Sequence, residues 1–177
     1  LKETKQQPFY MFWRSTFDNS SFKDDIELLS TFYRNKGYRD FEILKDSITY
    51  SGNFKKMNIV LTISEGEKYK YRNFSWEGMS LFSEKDLQNT LSLEKGDQFS
   101  EEEFNLALYS RVQSLYLDRG YIYSRIEPQI TPIGSDSLDI HFIITENHKV
   151  YINNIIVQGN TRTRENVIRR QLRVFPG

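Results

Sequence analysis

FSWEGM, residues 74–79, returns as IIVQGN at residues 155–160. The offset is 81 residues (155 minus 74), and it holds well outside the motif: Leu87, Leu91, Leu93 and Gly96 fall on Ile168, Leu172, Val174 and Gly177. In the other direction, Ile59, Leu61, Ile63 and Glu65 fall on Ile140, Phe142, Ile144 and Glu146. Phe17 and Phe22 match Phe99 and Phe104 at an offset of 82, and Gly37-Tyr38 matches Gly120-Tyr121 at 83. Small insertions in loops and helix ends explain that drift. Internal periods of this kind mark a tandem array of one supersecondary unit.

The middle copy spells out the unit. Tyr71 to Glu77 is a short aromatic-rich run closed by Gly78, which reads as a strand and a turn. Ser83 with Asp86 forms a capping box, and Leu87 and Leu91 share one helical face behind it. Ser100 with Glu103 starts a second helix, whose apolar stripe Phe104, Leu108, Val112, Leu115 faces a core. Gly120 stops that helix. Tyr121 to Ile133 reads as a strand, followed by turn residues Gly134 to Ser137. Leu138, Ile140, Phe142 and Ile144 then alternate with mostly polar residues, as expected of a strand with one buried face. The unit is β-α-α-β-β, an α+β fold with a three-stranded mixed sheet covered by two helices.

Three units are represented. Residues 1–68 read as a unit lacking its first strand and most of its first helix, 69–149 as a complete unit, and 150–177 as the first strand and first helix of a further one. The ends of the chain thus fall inside units, and the start carries no signal-peptide pattern, absent or already removed. An 81-residue unit buries only about 60% of its unfolded surface, so each is modestly stable. The composition sets further bounds. Twenty-four Lys and Arg balance 24 Asp and Glu among 177 residues, and there is no Cys. Neutral charge argues against binding nucleic acid through its phosphates, and the missing cysteines exclude a disulfide scaffold. The longest apolar run, Phe9 to Trp13, is far short of the roughly 20 residues of a membrane-spanning helix.

A β-α-α-β-β unit in tandem, with GN after the first strand, TRENVIRRQLR and PG in the last copy, KGY or RGY after the second helix, and a final strand ending in ISEG or ITEN, resembles the POTRA domain. The resemblance covers essentially the whole chain and is closest to BamA-type outer-membrane assembly factors. Its most specific piece is GNTRTRENVIRRQLRVFPG at 159–177. There are departures: Gly78-Met79 replaces GN in the middle copy, and PFYMFWRST in the first copy is an insertion of about eight residues between its helices. Copy number favours the assembly-factor branch, since related cell-division proteins carry one copy and two-partner secretion transporters two. The resemblance implies a location on the periplasmic side of the bacterial outer membrane, before a C-terminal membrane barrel that would lie after Gly177. The implied partners are unfolded outer-membrane β-barrel proteins and accessory lipoproteins; a related secretion transporter, or a nucleic-acid-binding α+β domain, is the alternative.

No catalytic constellation or cofactor motif stands out. His141 and His148 lack a Cys or a carboxylate pattern nearby, and no phosphate loop, nucleophile elbow or HExxH occurs. Arg162 to Arg173 holds five Arg, most of them on the solvated side of a helix whose other face carries Val167, Ile168 and Leu172. The candidate for function is backbone: an edge strand with unpaired N–H and C=O groups can accept an extended peptide as a further strand. In the POTRA family the second strand of the unit is an edge. The expected edge positions are Phe41, Ile43, Lys45, Ser47 and Thr49 in the first copy and Arg125, Glu127 and Gln129 in the middle one. Pro128 and Pro132 share parity, so both remove a donor from the same side of their strand, which makes Phe41 to Tyr50 the better docking edge. Tyr10, Phe12 and Trp13 form a candidate anchor for a partner or a neighbouring unit.

Overall fold

The computed structural model describes residues 18–52 and 56–173. Tyr10, Phe12 and Trp13 lie outside them. The first unit contributes α1 (Asn19–Asn35), β1 (Glu42–Tyr50) and β2 (Met57–Ser64), with β1 and β2 antiparallel. The side chain of Asp18 accepts from Ser21 N at 3.0 Å and so caps α1; hydrogen bonds from Ser20 and Ser21 hold its carboxyl far below the ordinary range. Phe22 and Phe41 are buried, and Phe41 stacks on Tyr33 with centroids 4.2 Å apart.

The second unit runs β3 (Lys70–Glu77), α2 (Glu84–Leu91), α3 (Glu101–Asn105), a π-helical segment (Leu106–Val112), α4 (Gln113–Asp118), β4 (Arg125–Ile133) and β5 (Ser137–Thr145). Its sheet has the order β3-β5-β4, with β3 parallel and β4 antiparallel to β5. This is the mixed sheet expected of a β-α-α-β-β unit. Both halves of the Ser83–Asp86 capping box form. At Ser100 only one half does: Ser100 Oγ accepts from Glu103 N, while the Glu103 carboxylate pairs with Arg111 at 2.6 Å. Arg111 also donates to Leu91 O at 3.0 Å and ties α2 to the long helix.

The helix stripe departs from its sequence reading at one point. Phe104, Leu108, Val112 and Tyr116 are the buried set, and Leu115 only packs against its edge. Steps of four overshoot a full α-helical turn by about 40° each, so three in succession would swing Tyr116 well off the core. The wider turns of the π segment between Phe104 and Tyr116 absorb that excess. These side chains pack on Tyr71, Phe74, Trp76, Leu138, Ile140, Phe142 and Ile144 from the helix-facing side of the sheet.

Two strand readings change as well. β4 begins at Arg125, not Tyr121, because Ser124 N and Ser124 Oγ both donate to Tyr121 O and Gln113 holds Ser124, closing a turn. Residues 150–157, read as a strand, form no ladder among the described residues. The counterpart of their partner, β5, would come from later in the unit, and a strand without a partner is not stable. Behind them, α5 (Glu165–Arg169) is a short helix in which Arg169 pairs with Glu165 and donates to Ile155 O, both at 2.7 Å.

Candidate functional site: the open strand edges

Which edges remain open depends on what the loops cover. In the second unit both β3 and β4 are outer strands. The chain at 96–99 lies along the start of β3: Tyr71 N donates to Asp97 O, Gly96 N to Tyr71 O and Phe99 N to Tyr69 O, at 2.7–2.9 Å. That covers only the first residues of β3, whereas β4 has no such cover among the described residues. Its nine residues pair with β5 without a break, from Arg125 opposite Thr145 to Ile133 opposite Ser137. An unbroken ladder across two residues that cannot donate requires the nitrogens of Pro128 and Pro132 to point away from β5. On the outward side of β4 the remaining donors are therefore Ile126 and Ile130. Arg125, Glu127 and Gln129 have the opposite parity and turn their backbone groups toward β5. A shallow groove lined by Tyr123, Arg125, Glu127, Asn147 and His148 opens at the start of this strand.

In the first unit β1 pairs with β2 and with no other strand among the described residues. Every residue from Glu42 to Tyr50 keeps its N–H. A β-bulge between Ile43 and Lys45 leaves Leu44 without an opposite residue, and a bulge inverts the alternation beyond it. Ile43 consequently lies on the face of Ile59 and Ile63, whereas Lys45, Ser47 and Thr49 lie on the opposite face, beside Thr62, Val60 and Asn58. Phe41 precedes the strand and is a core residue, with its N–H donated to Tyr38 O. The sequence carries no clear signal for the bulge, since every residue of EILKDSITY is compatible with a regular strand.

Folding also brings together a group that sequence spacing does not suggest. On the face of the sheet without helices, Ser75 Oγ lies 2.8 Å from His141 Nδ1, and Glu77 Oε2 lies 3.1 Å from His141 Nε2. A neutral ring protonated at Nε2 satisfies both contacts, accepting from Ser75 and donating to Glu77. The composition is that of a hydrolytic triad, but the setting is not. Ser75 sits in mid-strand opposite His141, so backbone N–H groups run along the ladder instead of converging near Ser75 Oγ as an oxyanion hole requires. The group is a cross-strand polar ladder, continued by Arg72 and Asp139. Among the described residues, no three His, Cys, Asp or Glu side chains are grouped to hold a metal ion, and no helix is long and apolar enough to cross a membrane.

Glu146, at the end of β5, anchors the turn that follows β3. It accepts from Ser80 N at 2.8 Å, from Leu81 N at 3.0 Å and from Ser80 Oγ. Partial burial pushes its pKa up, but these hydrogen bonds outweigh burial and hold it below its usual 4.5. Its counterpart in the first unit, Glu65, accepts from Tyr33 OH at 3.1 Å. A carboxylate whose folded pKa is depressed adds stability above its unfolded pKa and loses it as pH falls through the folded value. Glu146→Gln should therefore lower the melting temperature at pH 7, and the gap to wild type should close as the pH is taken below 4.5. Thermal melts from pH 7 to pH 3 check this; a gap independent of pH would refute it.

The family model for POTRA, described as surface antigen variable number repeat, matches residues 2–66 and 69–147. The outer membrane protein assembly factor BamA of Neisseria meningitidis serogroup B is 31% identical over 160 residues, covering 89% of this chain and 20% of the relative. BamA of Buchnera aphidicola is 23% identical over 179 residues, covering 98% of the chain and 29% of the relative. The chain thus spans less than a third of the length of these curated relatives. Among solved structures, Haemophilus influenzae BamA POTRA3-5 superposes with a TM-score of 0.72 at 20% identity, covering 99% of this chain and 70% of that one.

Proposed function

Because the chain belongs to the POTRA family, we propose that it is the periplasmic, non-enzymatic scaffold region of an outer-membrane protein assembly factor. In this reading it holds unfolded outer-membrane β-barrel clients by strand addition, docks accessory lipoproteins, and stands before a membrane barrel of the same protein. Relatives named as assembly factors support the setting. The observation that supports strand addition is the pair of edges β1 and β4, of which β1 carries a full set of backbone donors. Each backbone bond contributes little in water, about 0.5–1.5 kcal/mol, so a ladder of several is needed and a missing pair is felt.

The test is a titration of the isotopically labelled chain with an extended peptide from the end of a β-barrel protein, followed by amide shifts. Shifts are expected along Glu42–Tyr50, with weaker ones along Arg125–Ile133. Replacing both prolines, Pro128→Val with Pro132→Val, restores two outward donors and should strengthen the response of β4 specifically. Binding that favours wild-type β4 over β1 would reverse the assignment of the docking edge. No shift at either edge in a folded chain would remove strand addition from the proposal.

A further inference from the structure

The two glycines of the KGY and RGY tripeptides make the same unexpected contact. Gly37 O accepts from Tyr69 N, and Gly120 O accepts from Val150 N, each at 2.9 Å. Tyr69 and Val150 are repeat equivalents, 81 residues apart, at the start of the chain leaving each unit. Both glycines adopt positive φ, +97° and +87°. A Cβ on Gly37 would stand 3.0 Å from Lys68 Cγ, and one on Gly120 would stand 3.1 Å from Val150 O. These glycines therefore do more than end a helix: their bare carbonyls receive the next unit.

At the first of these joints the helix ends interlock as well. Glu102 N–H is one of the amides at the start of α3 that no helical carbonyl can satisfy, and it donates to Asn35 Oδ1 of the preceding unit at 2.9 Å. Asn35 Nδ2 returns a bond to Glu102 Oε2 at 3.0 Å. In the reverse sense, Gln98 Nε2 donates to Lys36 O, an orphan carbonyl at the end of α1. Tyr69 OH donates to Asp40 Oδ2 at 2.7 Å, and Arg34 lies 3.7 Å from Glu101. The carbonyl end of one helix faces the amide end of the next, an arrangement their dipoles favour. We infer that Asn35 and Gln98 form a reciprocal cap that makes the two units turn as one body, while the glycine carbonyl is a joint common to the array. At the second joint Leu117 and Asp118 stand where Arg34 and Asn35 stand, so the amide that both accepts and donates is not repeated there.

Residual dipolar couplings on the isotopically labelled chain test this, and they do not depend on client binding. In the wild type, couplings from α1, β1 and β2 should fit the same alignment tensor as those from β3, α2, β4 and β5. In the double variant Asn35→Ala with Gln98→Ala they should need two tensors, with strand amide shifts inside each unit unchanged. Two tensors in the wild type, or one in the double variant, would overturn the inference. Should the double variant not fold, Asn35→Asp carries the test: it keeps an acceptor for Glu102 N–H but sets a carboxylate against Glu101 and Glu102. It should loosen the joint at pH 7, and adding Glu102→Gln should tighten it again. A tensor indifferent to both changes would equally overturn the inference.

Discussion

Gly78→Ala should unfold the second unit or bring it close to unfolding. Gly78 has φ +83°, and an ideal Cβ there would stand 2.1 Å from Ile144 O and 3.2 Å from Ile144 C. The obstacle is backbone of the central strand, paired on both sides, so it cannot yield without breaking the sheet. A strained positive φ alone costs on the order of 1–3 kcal/mol, and the collision adds to it. A loss of about 3 kcal/mol or more is expected, and each kcal/mol lowers the melting temperature of a domain this size by about 4–8 °C. Gly159 is the built-in control. It is the repeat equivalent of Gly78, with φ +81°, but nothing lies within 4 Å of its Cβ position. Gly159→Ala, outside that sheet, should leave the melting temperature of the second unit unchanged. Equal melting temperatures for the two variants would refute the steric argument.

Phe142→Ala should be comparably severe. Phe142 is fully buried on β5 and stacks against Trp76 at 4.2 Å, Phe104 at 6.2 Å and Phe74 at 6.5 Å between centroids. It therefore joins β3, the long helix and the central strand through one ring. Truncating a buried Phe costs about 3–5 kcal/mol, and the lost stacking is part of why the upper half of that range is expected here. Small domains hold only about 5–15 kcal/mol in total. The expected melt is shifted down by about 15 °C or more, with loss of dispersed amide shifts from β3 to β5. A shift below about 5 °C would mean that the neighbouring rings collapse into the space, contrary to the rigid stacking described.

Much of this was legible before the fold. The caps at Ser83 and Ser100 are each set by two residues three apart, and each buried face by a spacing of two or of three to four, so Ser83, Asp86, Leu138 and Phe142 announce themselves within a window of a few residues. The repeat at 81 residues, which fixed the β-α-α-β-β unit, needs only the chain compared with itself. The parity of Pro128 and Pro132 follows from the period of a strand. By contrast the π segment was not legible, because Phe104, Leu108, Val112 and Leu115 keep to one side of an ordinary α-helix and only the burial of Tyr116 calls for wider turns.

What the amino-acid order determined by itself was the unit, its repetition, its helix starts and the inward face of its sheet, all properties of neighbours along the chain. Tertiary structure decided the rest. The cover of 96–99 over β3, the bulge at Leu44, the Ser75–His141–Glu77 ladder and the Asn35–Glu102 joint each depend on how residues distant in sequence come to lie across from one another. Register and crossing geometry set those meetings. They are settled by the packing of whole elements, which no local spacing of residue types encodes.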